Sequence, residues 1–220
     1  LPSSRALVSG AVVARRLKAE QIDAVFVSKG YDEQMLHNTG TERDIPVGFL
    51  GSLKSSEYSQ RKALLEALSR RTGMLVTRTK SGIEYLQMLN RIKIFVSADI
   101  GMNEFMIKNF EAMACGCVLL AWSQGEEDQL LGFRDMHNTV FYRSEDEAVE
   151  KLELLQNDPE LTARIASNGQ AFAESQYSFA RVGRALATEI QREMRPWQPP
   201  SAFTRFWVKL RYGMQVPQPS

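Results

Sequence analysis

The residues best suited to chemistry lie between Asn103 and Leu120. Glu111 sits there among Phe110, Ala112, Met113 and Ala114, in a run that reads as a helix stopped at Gly116. A carboxylate in so apolar a surround is costly unless it accepts hydrogen bonds. An ionised carboxylate accepts two donors, as the hydroxyls of a ribose would supply. The alternative is a glutamate on the exposed face of its helix, the commoner setting for that residue type. Upstream, Gly48-Phe-Leu-Gly51-Ser52 ends a strand in glycine. Such a turn lets backbone approach a phosphate, with the positive end of the next helix behind it, although tight turns also use glycine for steric reasons alone. Lys54, Arg61, Arg78 and Lys80 follow strands. Fixed cations at such positions can stabilise a diphosphate leaving group without a metal; solvated turns would account for them equally.

These residues need a scaffold, and the chain alternates strand-like and helical runs in the manner of a parallel sheet covered by helices. Leu7 to Ala19 reads as a helix and Asp23 to Ser28 as a strand, with His37 to Asp44 a polar linker. Strands are expected at 46–52, 73–77, 92–97, 117–121 and 138–142, with helices at 58–70, 83–89 and 107–114 between them. Ligands of such sheets bind outside the carboxyl ends of the strands, where Arg78 and Lys80 fall. Beyond residue 145 the pattern is helical: 146–156, then a helix started by Asp158-Pro159, then one capped by Ser178 with Val182, Leu186 and Ile190 facing inward.

The run Asn103–Leu120 resembles the C-terminal motif of retaining GT-B glycosyltransferases. In that motif an acidic residue, seven residues and Glu-Ala-Met-Ala-x-Gly precede a strand. Glu111 matches the second acidic position, which implies contact with the donor ribose; the first position is Asn103. A CgeB-like branch of the same superfamily lacks the first glutamate and carries a basic residue three before the second, as Lys108 does. By the resemblance, Lys108 joins Arg78 and Lys80 as catalytic cations. Gly51, Ser52, Arg61, Asn103 and the backbone of Glu104, Phe105 and Met106 lie at the donor. The likeness continues through Tyr85–Val96, Asn138–Ala148, Asp158-Pro-Glu, Ile165–Gly169 and Tyr177–Arg181, about residues 45 to 190.

The resemblance implies an α/β, Rossmann-like nucleotide-sugar-binding domain over residues 45–195. Residues 1–44 would be a helix–strand remnant of, or link to, an N-terminal GT-B domain, or would add a strand to this sheet; 196–220 form an amphipathic tail. The implied function is transfer of a sugar from a nucleotide-sugar donor to a glycan or lipid-linked acceptor, this chain supplying the donor-binding half with no cofactor and no metal. Competing readings are a degenerate interaction module and a GT-B nucleotide-sugar epimerase; a phosphorylase would need a lysine signature for pyridoxal phosphate that the sequence lacks.

Composition fits a globular chain: 220 residues, 44% hydrophobic, formal net charge +1. The charge balance, without a long basic run, argues against a nucleic-acid partner. Cys115 and Cys117 stand without a metal-ligating cluster and read as core thiols, while His37 and His137 read as surface residues. Glu126-Glu-Asp128 reads as a dipole-stabilised helix start, or, by the resemblance, as a strand-end segment touching donor sugar or acceptor. The chain opens at Leu1 and reads as a fragment or processed form of a cytoplasmic protein. In the tail, Phe203, Phe206, Trp207 and Leu210 recur at helical spacing beside Arg205, Lys209 and Arg211. Residues 201–212 would pack on a neighbouring domain or rest peripherally on the inner face of the plasma membrane.

Overall fold

The computed structural model describes residues 4–53, 59–101, 104–193 and 201–213. Five parallel strands form the main sheet, in the order β4 (Leu75–Thr77), β3 (Ile45–Leu50), β5 (Ile92–Ser97), β6 (Val118–Trp122) and β7 (Val140–Tyr142). Ile94, Phe95 and Val96 are successive residues yet all buried, because β5 is covered on both faces. Helix α4 (Ile107–Ala114) and α7 (Pro159–Gln176) pack on β6, while α2 (Ser59–Thr72) and α6 (Glu145–Asn157) pack on each other. From β3 the chain steps to β4 on one side; after α3 (Ile83–Arg91) it returns to β5 on the other. The carboxyl ends of β3 and β5 therefore flank a topological switch point, the usual ligand crevice of such sheets.

Local chemistry sets the element ends. Helix α4 closes in a Schellman turn: Gly116 N–H donates to Met113 O at 2.8 Å and Cys117 N–H to Ala112 O at 3.0 Å. Gly116 takes φ +82°, and a Cβ there would meet Asn38 Nδ2 at 2.5 Å. Arg43, from the polar linker, donates to Leu89 O, Ile92 O and Cys115 O, so one guanidinium satisfies the carboxyl ends of both α3 and α4. Asp158 caps α7 by accepting from Leu161 N at 2.9 Å, with Pro159 in the first turn, as expected. Cys115 and Cys117 are buried free thiols; burial pushes the Cys117 thiol up to about 12.

The amino-terminal segment departs from expectation. Leu7 does not begin a helix: Ala6–Val8 form β1, and only Ala11–Ala19 form α1. Gly10 is extended at the break, and β1 pairs in parallel with β2 (Ala24–Phe26). A strand this short carries too little pattern to separate from the helix it precedes. Nor does this unit add a strand to the main sheet; it forms a separate two-stranded one.

Its anchor is α5 (Glu126–Leu130). Glu127, only 1% exposed, accepts from Ala11 N and Val12 N at 2.8 Å each, capping α1 from another part of the chain. Asp128, also buried, accepts from Ser123 Oγ and Gln124 N within its own loop. Glu127→Ala should cost about 1–3 kcal/mol by stranding one buried and one part-buried amide. Amide exchange in α1 should accelerate, and unchanged protection there would refute the assignment.

Helix α8 (Phe179–Gln191) has no buried residue: Val182 and Leu186 are half-buried and Ile190 is exposed. Its carboxyl end nevertheless reaches the amino-terminal unit, where Arg5 donates to Glu189 O, Arg192 O and Glu193 O.

Candidate functional site

Two adjoining cavities open at the switch point, of about 950 and 370 Å3, and Ser52, Lys108 and Glu111 line both. Gly51 is there for clearance. A Cβ would lie 2.7 Å from the Phe49 ring, which would have to shift, whereas Lys108 Cε at 3.5 Å would be in ordinary contact.

Lys108 and Glu111 stand three apart on α4 and share one face. Tyr85, from α3, joins them. Its hydroxyl donates to Glu111 Oε2 at 2.7 Å, and Lys108 Nζ lies 4.8 Å from its ring centroid, a cation–π distance. Glu111 is half-buried, and among the described residues Oε1 takes no hydrogen bond. Burial pulls the Lys108 ammonium below its ordinary range, Glu111 opposing the shift and Arg61 and Arg78 adding to it.

Arg78 and Lys80, both exposed, line the larger cavity after β4. Thr79 between them has Oγ1 buried without a hydrogen-bond partner among the described residues. Arg61 is more enclosed than a donor-binding surface cation would be. It is 8% exposed, 2.6 Å from Asp99 Oδ1, and donates to Ala98 O. It still lines the smaller cavity, together with Lys29, Ser97, Met106 and Asn109.

The expectation for Glu104 and Phe105 concerned their backbone; their side chains are engaged elsewhere. The Glu104 carboxylate pairs with Lys29 Nζ at 2.5 Å and accepts from Ser9 Oγ, tying the loop before α4 to the amino-terminal unit. A nearby cation and hydroxyl captured it, which spacing along the chain could not reveal. The Phe105 ring is core, stacked on Phe133 at 4.4 Å between centroids. Met106 lines the smaller cavity, but its N–H is directed to Asp99 Oδ2 at 3.3 Å. Asn103 and Lys54 lie outside the described residues.

Asp99 is the site residue that sequence reasoning missed. It is 4% exposed; Oδ2 also accepts from Ser97 Oγ and Asn109 Nδ2, both at 3.0 Å, so it ties the end of β5 to α2 and the first turn of α4. The available signal was an acidic residue two past the last residue of a buried strand. Lys29 and Tyr85 gave no local signal, since their partners are distant in sequence. His37 and His137 are exposed and outside these cavities.

The architecture is a Rossmann-like α/β domain of the kind found in GT-B glycosyltransferases, and solved structures share it. Sucrose-phosphate synthase (tll1590) from Thermosynechococcus elongatus matches with TM-score 0.64 at 11% identity, over 85% of this chain and 57% of that one. Anabaena Alr3699/HepE, solved in complex with UDP and glucose, matches with TM-score 0.68 at 14% identity, over 85% of this chain and 62% of its own. A glycosyltransferase from Rickettsia africae ESF-5 gives TM-score 0.66 at 10% identity, over 86% and 64%. The chain thus spans less than two thirds of each of these proteins. No curated protein matches it significantly in sequence. The glycosyl transferase-like family model covers residues 29–188, and the chain belongs to that family.

Proposed function

We propose that this chain is the donor-binding half of a glycosyltransferase, holding a nucleotide sugar at the switch point and stabilising its diphosphate as the glycosidic bond to it breaks. The observation that carries the reading is the meeting of Glu111, Lys108 and Ser52 in one crevice beside Gly51. Glu111 Oε1 accepts a ribose hydroxyl, while Tyr85 holds Oε2. Lys108, with Arg78 and Lys80, faces the diphosphate oxygens, and the backbone at Gly51–Ser52 and the first turn of α4 lie alongside. That a similar fold has been crystallised with UDP and glucose supports the ligand class.

The rest of the reading follows the family. The cations do the work of a metal, the outcome is retention, and the protein acts in the cytoplasm. The sugar goes to a glycan or lipid-linked acceptor held by an N-terminal GT-B domain in the same or another chain. The paired β1–β2 unit and the apolar side of α8 are the surfaces that such a domain would cover. Titration calorimetry with UDP and with GDP tests the donor site. Saturable binding of one of them below millimolar concentration, unchanged by EDTA, is expected. No heat from either at millimolar nucleotide would leave an interaction module as the better reading.

A further inference from the structure

Helix α9 (Ala202–Tyr212) is closed at both ends by its own neighbours. Ser201 Oγ accepts from Thr204 N at 3.1 Å, and Gly213, left-handed at φ 64°, donates to Lys209 O. It therefore needs no other element to satisfy its first and last turns. At 3.6 residues per turn, Phe206, Leu210, Phe203 and Trp207 share an arc of about 100°. All four are exposed, at 63%, 66%, 71% and 47%. Lys209 and Arg211 stand on the two shoulders of that arc, Arg205 lies farther round, and the helix has no acidic residue.

An exposed apolar face of this size wants a cover, and charge selects among the candidates. A uniformly cationic helix whose lysine and arginine border an aromatic face complements an anionic phospholipid surface: the rings enter the headgroup boundary and the cations meet phosphates. Docking on the amino-terminal unit is the competing use, but α8 already makes that return, since Arg5 caps its carboxyl end. α9 comes only after that contact, past Pro196, Pro199 and Pro200. Eleven residues are too few to cross a bilayer, and no described helix is long and apolar enough to do so.

We propose that α9 is an interfacial anchor that lays its Phe203, Phe206, Trp207 and Leu210 face on anionic phospholipid. The inference does not depend on the donor site.

Co-sedimentation with extruded vesicles tests it, using phosphatidylcholine alone and phosphatidylcholine with ~30% phosphatidylglycerol, a charge typical of polybasic recognition. The chain should pellet with the anionic vesicles and hardly at all with the neutral ones. Phe206→Glu with Trp207→Glu should weaken this roughly tenfold or more. Arg205→Glu with Lys209→Glu should weaken it too, as should high salt. Phe206, Trp207 and Lys209 are exposed and Arg205 is half-buried; both variant pairs should unfold near the wild-type temperature, and thermal melts check this so that lost binding is not misfolding. No binding to anionic vesicles, or binding indifferent to both variant pairs, overturns the proposal. So does a lipid-free dimer, seen by sedimentation velocity, that the aromatic substitutions dissolve; the face would then be a protein interface.

Discussion

Asp99→Ala should destabilise the domain by about 3–5 kcal/mol, the range for removing one member of a buried ion pair. Four donors from three parts of the chain converge on this carboxylate: Ser97 Oγ at the end of β5, Met106 N and Asn109 Nδ2 at the start of α4, and Arg61 Nη2 from α2. Deleting it strands polar groups that are almost wholly buried, Ser97 and Asn109 at 2% and 1% exposure, and removes a counter-charge from Arg61. Each stranded donor alone costs about 1–3 kcal/mol. Asp99→Asn should lose less, since its side-chain oxygen still accepts and only the negative charge opposite Arg61 is removed. Urea titration reads both variants. If Asp99→Ala stays within about 1 kcal/mol of wild type, the carboxylate is not the tie between β5, α2 and α4.

What the sequence disclosed and what it hid follow from the range of the interactions. β5 was legible to the residue, and β3 and β6 nearly so, because consecutive buried apolar residues are a local record of a strand covered on both faces. α7 was legible because Asp158 and Pro159 carry its cap and first turn within two residues. β1 was not: three residues run almost directly into the apolar pattern of α1, and only pairing with β2 makes them a strand. The site divides in the same way. Lys108 and Glu111 lie on one helical face by spacing alone, so their meeting could be read in advance. Tyr85 reaches Glu111 across 26 residues, and Lys29 reaches Glu104 across 75. A contact of the same range holds the Glu104 carboxylate. Glu127 does stand in the acidic first turn of α5, as read, but it also caps α1, which its local sequence could not show.

Glu111→Ala should weaken nucleotide binding by about 1–3 kcal/mol, roughly 5- to 150-fold, if the proposed ribose contact is made. Affinity alone would not isolate that contact, because losing Glu111 also frees the Tyr85 hydroxyl and changes the field at Lys108. The sugar ring of the nucleotide separates the effects. Wild type should prefer UDP or GDP to its 2′-deoxy or 3′-deoxy analogue, and Glu111→Ala should erase that preference. Tyr85→Phe keeps the ring beneath Lys108 and removes only the bond to Oε2, so it should cost less and leave the preference standing. Lys108→Met should act on the diphosphate, lowering affinity for the nucleotide without altering the response to a missing hydroxyl. The pH response has a definite sign. Burial holds the Lys108 pKa below the ordinary lysine range, so its charge is present at low pH and lost as pH rises through that lowered value. Diphosphate affinity should fall over the same interval in wild type and not in Lys108→Met. If Glu111→Ala binds both nucleotide and deoxy analogue as wild type does, the carboxylate has no part in holding the donor.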